Sequence, residues 1–396
     1  MKFLRKVASY TRGVRLAMLA LAVMMTVALL MGILVVSQVR FIRHNYDVVN
    51  AATGDLDRLY YFMRMEPDFT GEATPKLLEQ LKTHPALEHI YLVYGSGSVS
   101  YTVDGEKEYI SIQLMDPKLP ELFPAMGINF GAEGGTILAT SKFPEVKIGD
   151  DFEVSFTTTN RTEVFTAVGR IAYPYRTISM NGGSTRATVN EMFGSGQCLL
   201  LPATEENLAK LADAYRVRPG DSFLVEVKEG ATSEQIEDLL LDLSRAGVTN
   251  ALQQMLERTE EAMDQQLRDL LPMPLFLFAV SAFAYFSTMI LIFMKKEQDL
   301  AICYLCGGKR WDCMRIVMGA FSLVILGPVL LALGAVKLLP VFDWLQAMTI
   351  INYLIDEWTY GMLWGFLILT QLIAGVAAWL EMKDHTPLTL LRGVEK

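Results

Sequence analysis

The sequence predicts a membrane protein of four α-helical transmembrane spans, with an extracytoplasmic α+β domain inserted between helices 1 and 2. Three observations carry that reading. Four apolar runs, Leu16–Val36, Leu275–Met294, Ile316–Leu339 and Tyr360–Leu380, each come near the ~20 residues a helix needs to cross a bilayer core of ~30 Å. The connecting segments alternate, basic on one side and acidic on the other, as a multi-pass topology requires. Residues 38–271, polar and acidic, are long enough to bury a core of their own. Composition agrees: 52 % hydrophobic residues with a mean hydropathy of +0.28 is a pairing that soluble globules seldom show. A formal charge of −9, with no basic patch interleaved by aromatics, argues against nucleic acid.

Residues 1–37 hold the N-terminus and the first span. Lys2, Arg5, Lys6, Arg12 and Arg15 precede it without a single acid, which places the N-terminus inside. A signal peptide has the same charged start. This apolar run is longer than the usual h-region, however, and Val36-Ser37-Gln38-Val39 is a poor cleavage site. A retained span is expected.

The domain of residues 38–271 opens and closes on helical patterns. Ile42, Val49, Leu56, Leu59 and Met63 recur on a period near 3.5, as do Leu252, Met255, Leu256, Thr259, Met263, Leu267 and Leu270. Either the two seams face each other as an antiparallel stalk or each packs on its own domain; periodicity leaves both open. Turn signals stand at Asp104-Gly105, Glu133-Gly134-Gly135 and Asn181-Gly182-Gly183. Strands are predicted at Ile90–Tyr94, Val99–Val103, Tyr109–Leu114, Phe152–Thr157, Val164–Ile171 and Phe223–Lys228, all rich in β-branched and aromatic residues. A helix over Ser233–Leu243 follows the last, with Ser233 as its expected N-cap. Of four cysteines only Cys198 falls in this domain, so it folds without an internal disulfide.

Residues 272–396 hold the remaining spans. Between the second and third lies KKEQDLAICYLCGGKRWDCMRI, a cytoplasmic linker over residues 295–315 by its Lys295, Lys296, Lys309, Arg310 and Arg315. Leu300, Ala301, Tyr304 and Leu305 give it an apolar helical face, and Gly307 and Gly308 stop that helix. Such a helix suits docking on a cytosolic partner; a solvated loop whose lysines only fix topology fits the composition equally. The third span is interrupted by Gly327-Pro328. The loop from Pro340 to Thr359 carries Asp343, Asp356 and Glu357 and no lysine or arginine, so it lies outside. Lys383, Arg392 and Lys396 return the C-terminus inside.

The sequence has no G-x-x-x-x-G-K-[ST] cradle for phosphates, no H-E-x-x-H and no G-x-S-x-G. We therefore expect no catalytic residue, no cofactor and no enzyme activity in this chain. Cys303-x-x-Cys306 with Cys313 offers three thiols where a structural zinc wants four ligands, so these are read as small inert residues, and no metal is expected. Lys337 and Gln371 are the notable polar groups within the spans, and no facing acids line a path between helices.

The run Glu297–Arg310, EQDLAICYLCGGKR, resembles the linker between the second and third spans of MacB/FtsX/LolC-type ABC transporter permeases. The family pattern is an acidic residue, then I-x-x-L-(x)-G-(A/G) and basic residues, matched by Glu297, Ile302, Leu305, Gly307 or Gly308, and Lys309-Arg310. Cys303, Cys306 and a Gly-Gly pair are departures. Val146–Ile171 resembles the family's extracytoplasmic signature, Phe223–Leu243 its late strand and helix, and Thr386–Arg392 its C-terminal Pro-x-x-x-Leu-Arg. The resemblance implies a MacB-like periplasmic core domain and a mechanotransmission role in a bacterial cytoplasmic membrane. It implies that Glu297, Asp299, Leu300, Ala301, Tyr304, Leu305, Gly307, Gly308, Lys309 and Arg310 couple to a separate cytosolic ABC ATPase, which binds the ATP and Mg. A second copy or a paralogous permease completes the complex, and the substrate is a peptide, lipoprotein or toxic amphiphile. The alternative is an FtsX-like regulator that activates a cell-wall hydrolase.

Overall fold

The computed structural model describes residues 15–66, 71–103, 106–131, 134–139, 143, 146–156, 159, 161–171, 177–179, 186–194, 198–212, 217–295, 302, 306–307, 310–338, 354 and 356–383. The chain divides into two compact units, Met1–Arg40 with Gln265–Lys396, and Phe41–Asp264.

The second unit is α+β. Its strands run β1 (Leu59–Arg64), β2 (Leu87–Tyr91), β3 (Val93–Val103), β4 (Glu106–Met115), β5 (Thr136–Ala139), β6 (Asp151–Phe156) and β7 (Thr162–Arg170). After these come β8 (Thr177–Ile178), β9 (Phe193–Gly194), β10 (Cys198–Pro202), β11 (Arg218–Pro219), β12 (Ser222–Val227) and β13 (Gly247–Ala251). One antiparallel sheet has the order β13-β1-β12-β2. The other has the order β11-β3-β4-β10-β5-β7-β6, and β3 also pairs β6 through Val99↔Phe156 and Ser100↔Ser155. That last pairing closes six strands into a barrel, which removes their edges.

Alternation along each strand fills the barrel. Ile110, Ile112 and Leu114 of β4 meet Leu199 and Leu201 of β10 and Val154 and Phe156 of β6 in one buried cluster. The intervening residues Cys198 and Leu200 join a different core, with Leu59, Tyr61 and Leu224 of the first sheet. The opposite face of that sheet is covered by the helices Ala73–Leu81 and Ser233–Ser244, with Phe62 and Phe223 stacked at 4.6 Å beneath them. Burying each such aromatic contributes about 1.5–3 kcal/mol.

The helix Leu252–Leu270 buries Leu252, Met255, Leu256, Thr259 and Met263 of the predicted stripe, while Leu267 and Leu270 at its far end are only half-buried. Leu252, Met255 and Leu256 share one cluster with Val48 and Val49 and with strands of both sheets. Both flanking segments therefore pack on the domain's own core.

Four details differ from expectation. The first helix, Arg15–Asn50, stops before Leu56; Leu59 and Met63 lie in β1. A spacing of four keeps two residues on one face in a strand as well as in a helix, so the pattern could not separate them. The strand expected at Ile90–Tyr94 is divided at Leu92 between β2 and β3, where the chain passes from one sheet to the other. The helix expected from Ser233 is capped one residue earlier: Thr232 Oγ1 accepts from Gln235 N at 3.3 Å while Gln235 Oε1 accepts from Thr232 N at 3.1 Å. Finally, the helix Arg310–Leu338 runs through Pro328 without a break.

The first unit holds the helices Pro272–Lys295, Arg310–Leu338 and Glu357–Lys383 and the N-terminal part of Arg15–Asn50. Two described helical stretches, Leu19–Asn50 and Leu252–Thr288, are long and apolar enough to cross a membrane. Between the last two helices Ser322 Oγ donates to Gln371 Oε1 at 3.1 Å, which pairs the polar group that the sequence singled out.

Candidate functional site

Of the predicted coupling residues, Glu297, Asp299, Leu300, Ala301, Tyr304, Leu305, Gly308 and Lys309 lie outside the described residues. What is described brackets them. The second helix ends at Lys295 and the third begins at Arg310. Between these, Ile302 is helical and exposed, and Cys306 N donates to its carbonyl at 3.0 Å. Gly307 follows at φ +83°, in the left-handed region that only glycine adopts without cost. Cys306 is exposed, Cys303 lies outside the described residues, and among the described residues no group of three His, Cys, Asp or Glu could hold a metal ion. The C-terminal Thr386–Arg392 also lies outside them.

A contact that sequence reasoning missed joins the first and last helices of this unit. Arg40 Nε donates to Asp356 Oδ2 at 2.7 Å, and its guanidinium sits 5.8 Å from the ring centre of Trp358. The other oxygen of Asp356 accepts from Trp358 N at 3.1 Å and Thr359 N at 3.2 Å, so one carboxylate caps the helix Glu357–Lys383 and pairs Arg40. Ser37 O accepts from Leu354 N at 3.2 Å beside it. Part of the signal was available: from the sequence, both Arg40 and the acidic Pro340–Thr359 loop are expected on the outer side, where the loop rule disfavours a lone cation.

Deeper in the same unit, an apolar cavity of ≈ 390 Å³ lies among three helices, lined by residues including Ala28, Gly32, Leu275, Phe278, Met362 and Phe366. No titratable group lines it, so it suits hydrocarbon and offers no path to an ion.

In the α+β unit the Val146–Ile171 signature is a turn feeding a hairpin. Gly149 adopts φ +95° and donates to Ala167 O at 2.7 Å, while Asp150 Oδ2 accepts from Lys147 N at 3.0 Å. A Cβ at Gly149 would meet nothing, so conformation alone requires the glycine. Cys198 is fully buried in β10, and burial pushes its thiol up to about 12. Burial likewise raises Tyr61 to about 12.

No family model and no curated protein matches the chain. Solved structures similar to it include the periplasmic region of MacB from Actinobacillus actinomycetemcomitans, at 11 % identity and a TM-score of 0.31. That match covers 51 % of this chain and 92 % of the other. The extracellular domain of the noncanonic ABC-type transporter YknZ from Gram-positive bacteria is another, at 9 % identity and a TM-score of 0.28, covering 47 % and 91 %.

Proposed function

We propose that this chain is the permease subunit of an ABC transporter of the MacB/FtsX/LolC type, with four spans in a bacterial cytoplasmic membrane and residues 38–271 outside. One observation carries the reading. The unbroken helix Arg15–Asn50 contains an apolar span and also gives Val48 and Val49 to the core of the α+β unit. The stretch Leu252–Thr288, two helices that meet at Leu271, likewise gives Leu252, Met255 and Leu256 to that core. A displacement of either span is thereby delivered to a packed core rather than to a slack linker.

In this reading a cytosolic ABC ATPase holds ATP and Mg and receives Asp299–Leu305 in a groove. Closure of its dimer pushes that helix, tilts the first two spans and moves the outer domain. Two permease chains, identical or paralogous, seat on the ATPase dimer. The substrate, a peptide, lipoprotein or toxic amphiphile, is handled outside the bilayer core, in keeping with a membrane unit whose described cavity is purely apolar. Exposed Trp358 and Trp379 stand near the two ends of the helix Glu357–Lys383, about 32 Å apart, as interfacial anchors of a span do.

Leu300→Asp and Leu305→Asp place a charge in the proposed contact. Both are expected to lose co-purification with the ATPase and to abolish stimulated ATP hydrolysis, while membrane insertion and the outer domain survive. Lys228→Glu serves as the outer-domain control, and the permease alone should hydrolyse no ATP above background. If both aspartate variants behave like the control, the linker is a loop and this assignment fails.

A further inference from the structure

A cleft in the 41–264 unit is built from both signs of charge. It lies along β2, the outermost strand of the first sheet. The register sets His89 opposite Glu226, and Glu226 opposite Leu59, the neighbour of Arg58. Lys118 follows β4, and Lys228 and Glu229 follow β12; with Glu88 and Tyr91 these residues line an open cleft of ≈ 470 Å³.

Part of this wall is already satisfied. Tyr91 Oη donates to Glu226 Oε2 at 2.6 Å, and Arg58 Nε donates to Val227 O at 2.8 Å. His89 Nε2 lies 2.8 Å from Asp116 Oδ2, and Lys228 Nζ donates to Pro85 O at 2.9 Å. The rest is open. Arg58 Nη2 and Glu226 Oε1 form an ion pair at 3.8 Å, too long for a hydrogen bond, so their hydrogen-bonding capacity is unused. Among the described residues, no hydrogen bond uses the Nη donors of Arg58 or Oε1 of Glu226, and the charged heads of Lys118, Glu88 and Glu229 have no partner.

Three cations and three carboxylates therefore face one small, polar space. A lone anion would meet Glu88, Glu226 and Glu229, and a lone cation would meet Arg58, Lys118 and Lys228. A compact ligand that carries both charges satisfies both sets. We propose that this cleft binds a small dipolar ion: an ammonium joined by a short linker to a carboxylate or phosphate. The anionic end takes the Nη donors of Arg58, and the ammonium takes Oε1 of Glu226. The sparse apolar lining leaves no place for a large hydrocarbon group.

Titration calorimetry on the full chain in nonionic detergent tests this with glycylglycine and phosphoethanolamine, beside acetate and methylammonium as single-charge controls. Saturable binding of a dipolar probe is expected, with the controls about tenfold weaker or worse, since each makes only one charge-assisted contact. The tighter dipolar probe identifies the anionic group as carboxylate or phosphate. Arg58→Gln and Glu226→Gln should each weaken binding about tenfold or more. Glu226→Gln keeps an acceptor for Tyr91, and exposed Lys118→Gln supplies a second variant that leaves packing alone. Absence of saturable binding by both dipolar probes overturns the proposal, as does acetate binding equally tightly or affinity unchanged in Glu226→Gln and Lys118→Gln. No ATPase takes part, so failure here leaves the coupling assignment untouched.

Discussion

Cys198 shows what a residue's neighbours in sequence do not reveal. The run CLLLP has no alternation to mark it as a strand, because β10 is buried on both faces: Leu199 and Leu201 point into the barrel, Cys198 and Leu200 into the other core. Its chemistry follows from that place. The folded thiol is raised from 9.0 to about 12, so folding retains a proton that the unfolded chain releases. The associated stability is complete below about pH 9 and is lost as pH rises toward 12, at up to about 1.4 kcal/mol per pH unit. Buried Tyr61 adds a loss of the same sign that sets in as its unfolded hydroxyl begins to ionise below its ordinary 10.0, and Tyr91, Tyr94 and Tyr101 do likewise. The tyrosines are common to both chains, so the difference in slope between Cys198→Ala and the unaltered chain isolates the cysteine. Denaturant midpoints of Cys198→Ala, measured from about pH 9 to 10, are expected to fall less steeply than those of the unaltered chain, whatever offset the small cavity adds. Equal slopes would mean that the thiol is not held protonated by burial.

At the scale of single elements, legibility depended on whether one period excluded the other. Leu252, Met255, Leu256, Thr259 and Met263 combine spacings of three and four, which no strand can place on one face, and that helix is where the sequence puts it. Leu59 and Met63 differ by four, fit both periods, and turned out to belong to β1. The strands β3, β4, β6, β7 and β12 were legible where β-branched and aromatic residues cluster; the four-residue β5 was not, nor was the passage between sheets at Leu92, which is set by tertiary pairing. Helix starts are a finer matter. Thr232 and Ser233 are both good caps by type, and only the reciprocal bonds to Gln235 choose between them. Thr232→Ala is expected to destabilise the domain by about 1 kcal/mol and Ser233→Ala by a few tenths at most. Chemical denaturation of the two variants separates the caps; a larger loss from Ser233→Ala would reverse the assignment.

For the whole molecule, hydropathy and loop charge carry more than any motif. The coupling residues were named from a short pattern, and most of them, Leu300 and Leu305 among them, lie outside the described residues, so the candidate site was legible as chemistry but not as geometry. The Arg40–Asp356 pair escaped the sequence because it joins residues over 300 positions apart. It matters for topology, since in the proposed orientation Arg40 stands on the outer side against the positive-inside tendency and is neutralised there by Asp356 and the face of Trp358. If that orientation holds, reporter tags at Lys2, at Gly308 and after Lys396 should be shielded from an impermeant reagent in intact cells. Tags near Asn181 and Phe342 should react. Breaking the pair with Arg40→Glu sets two carboxylates face to face and is expected to loosen the contact between the first and last helices without inverting the chain. In the proposed orientation the basic residues Lys2, Arg5 and Lys6 and those of the 295–315 linker stay inside, and their combined charge outweighs one residue. A reactive tag at Gly308 in the unaltered protein would place the linker outside, and no cytosolic ATPase could then reach it.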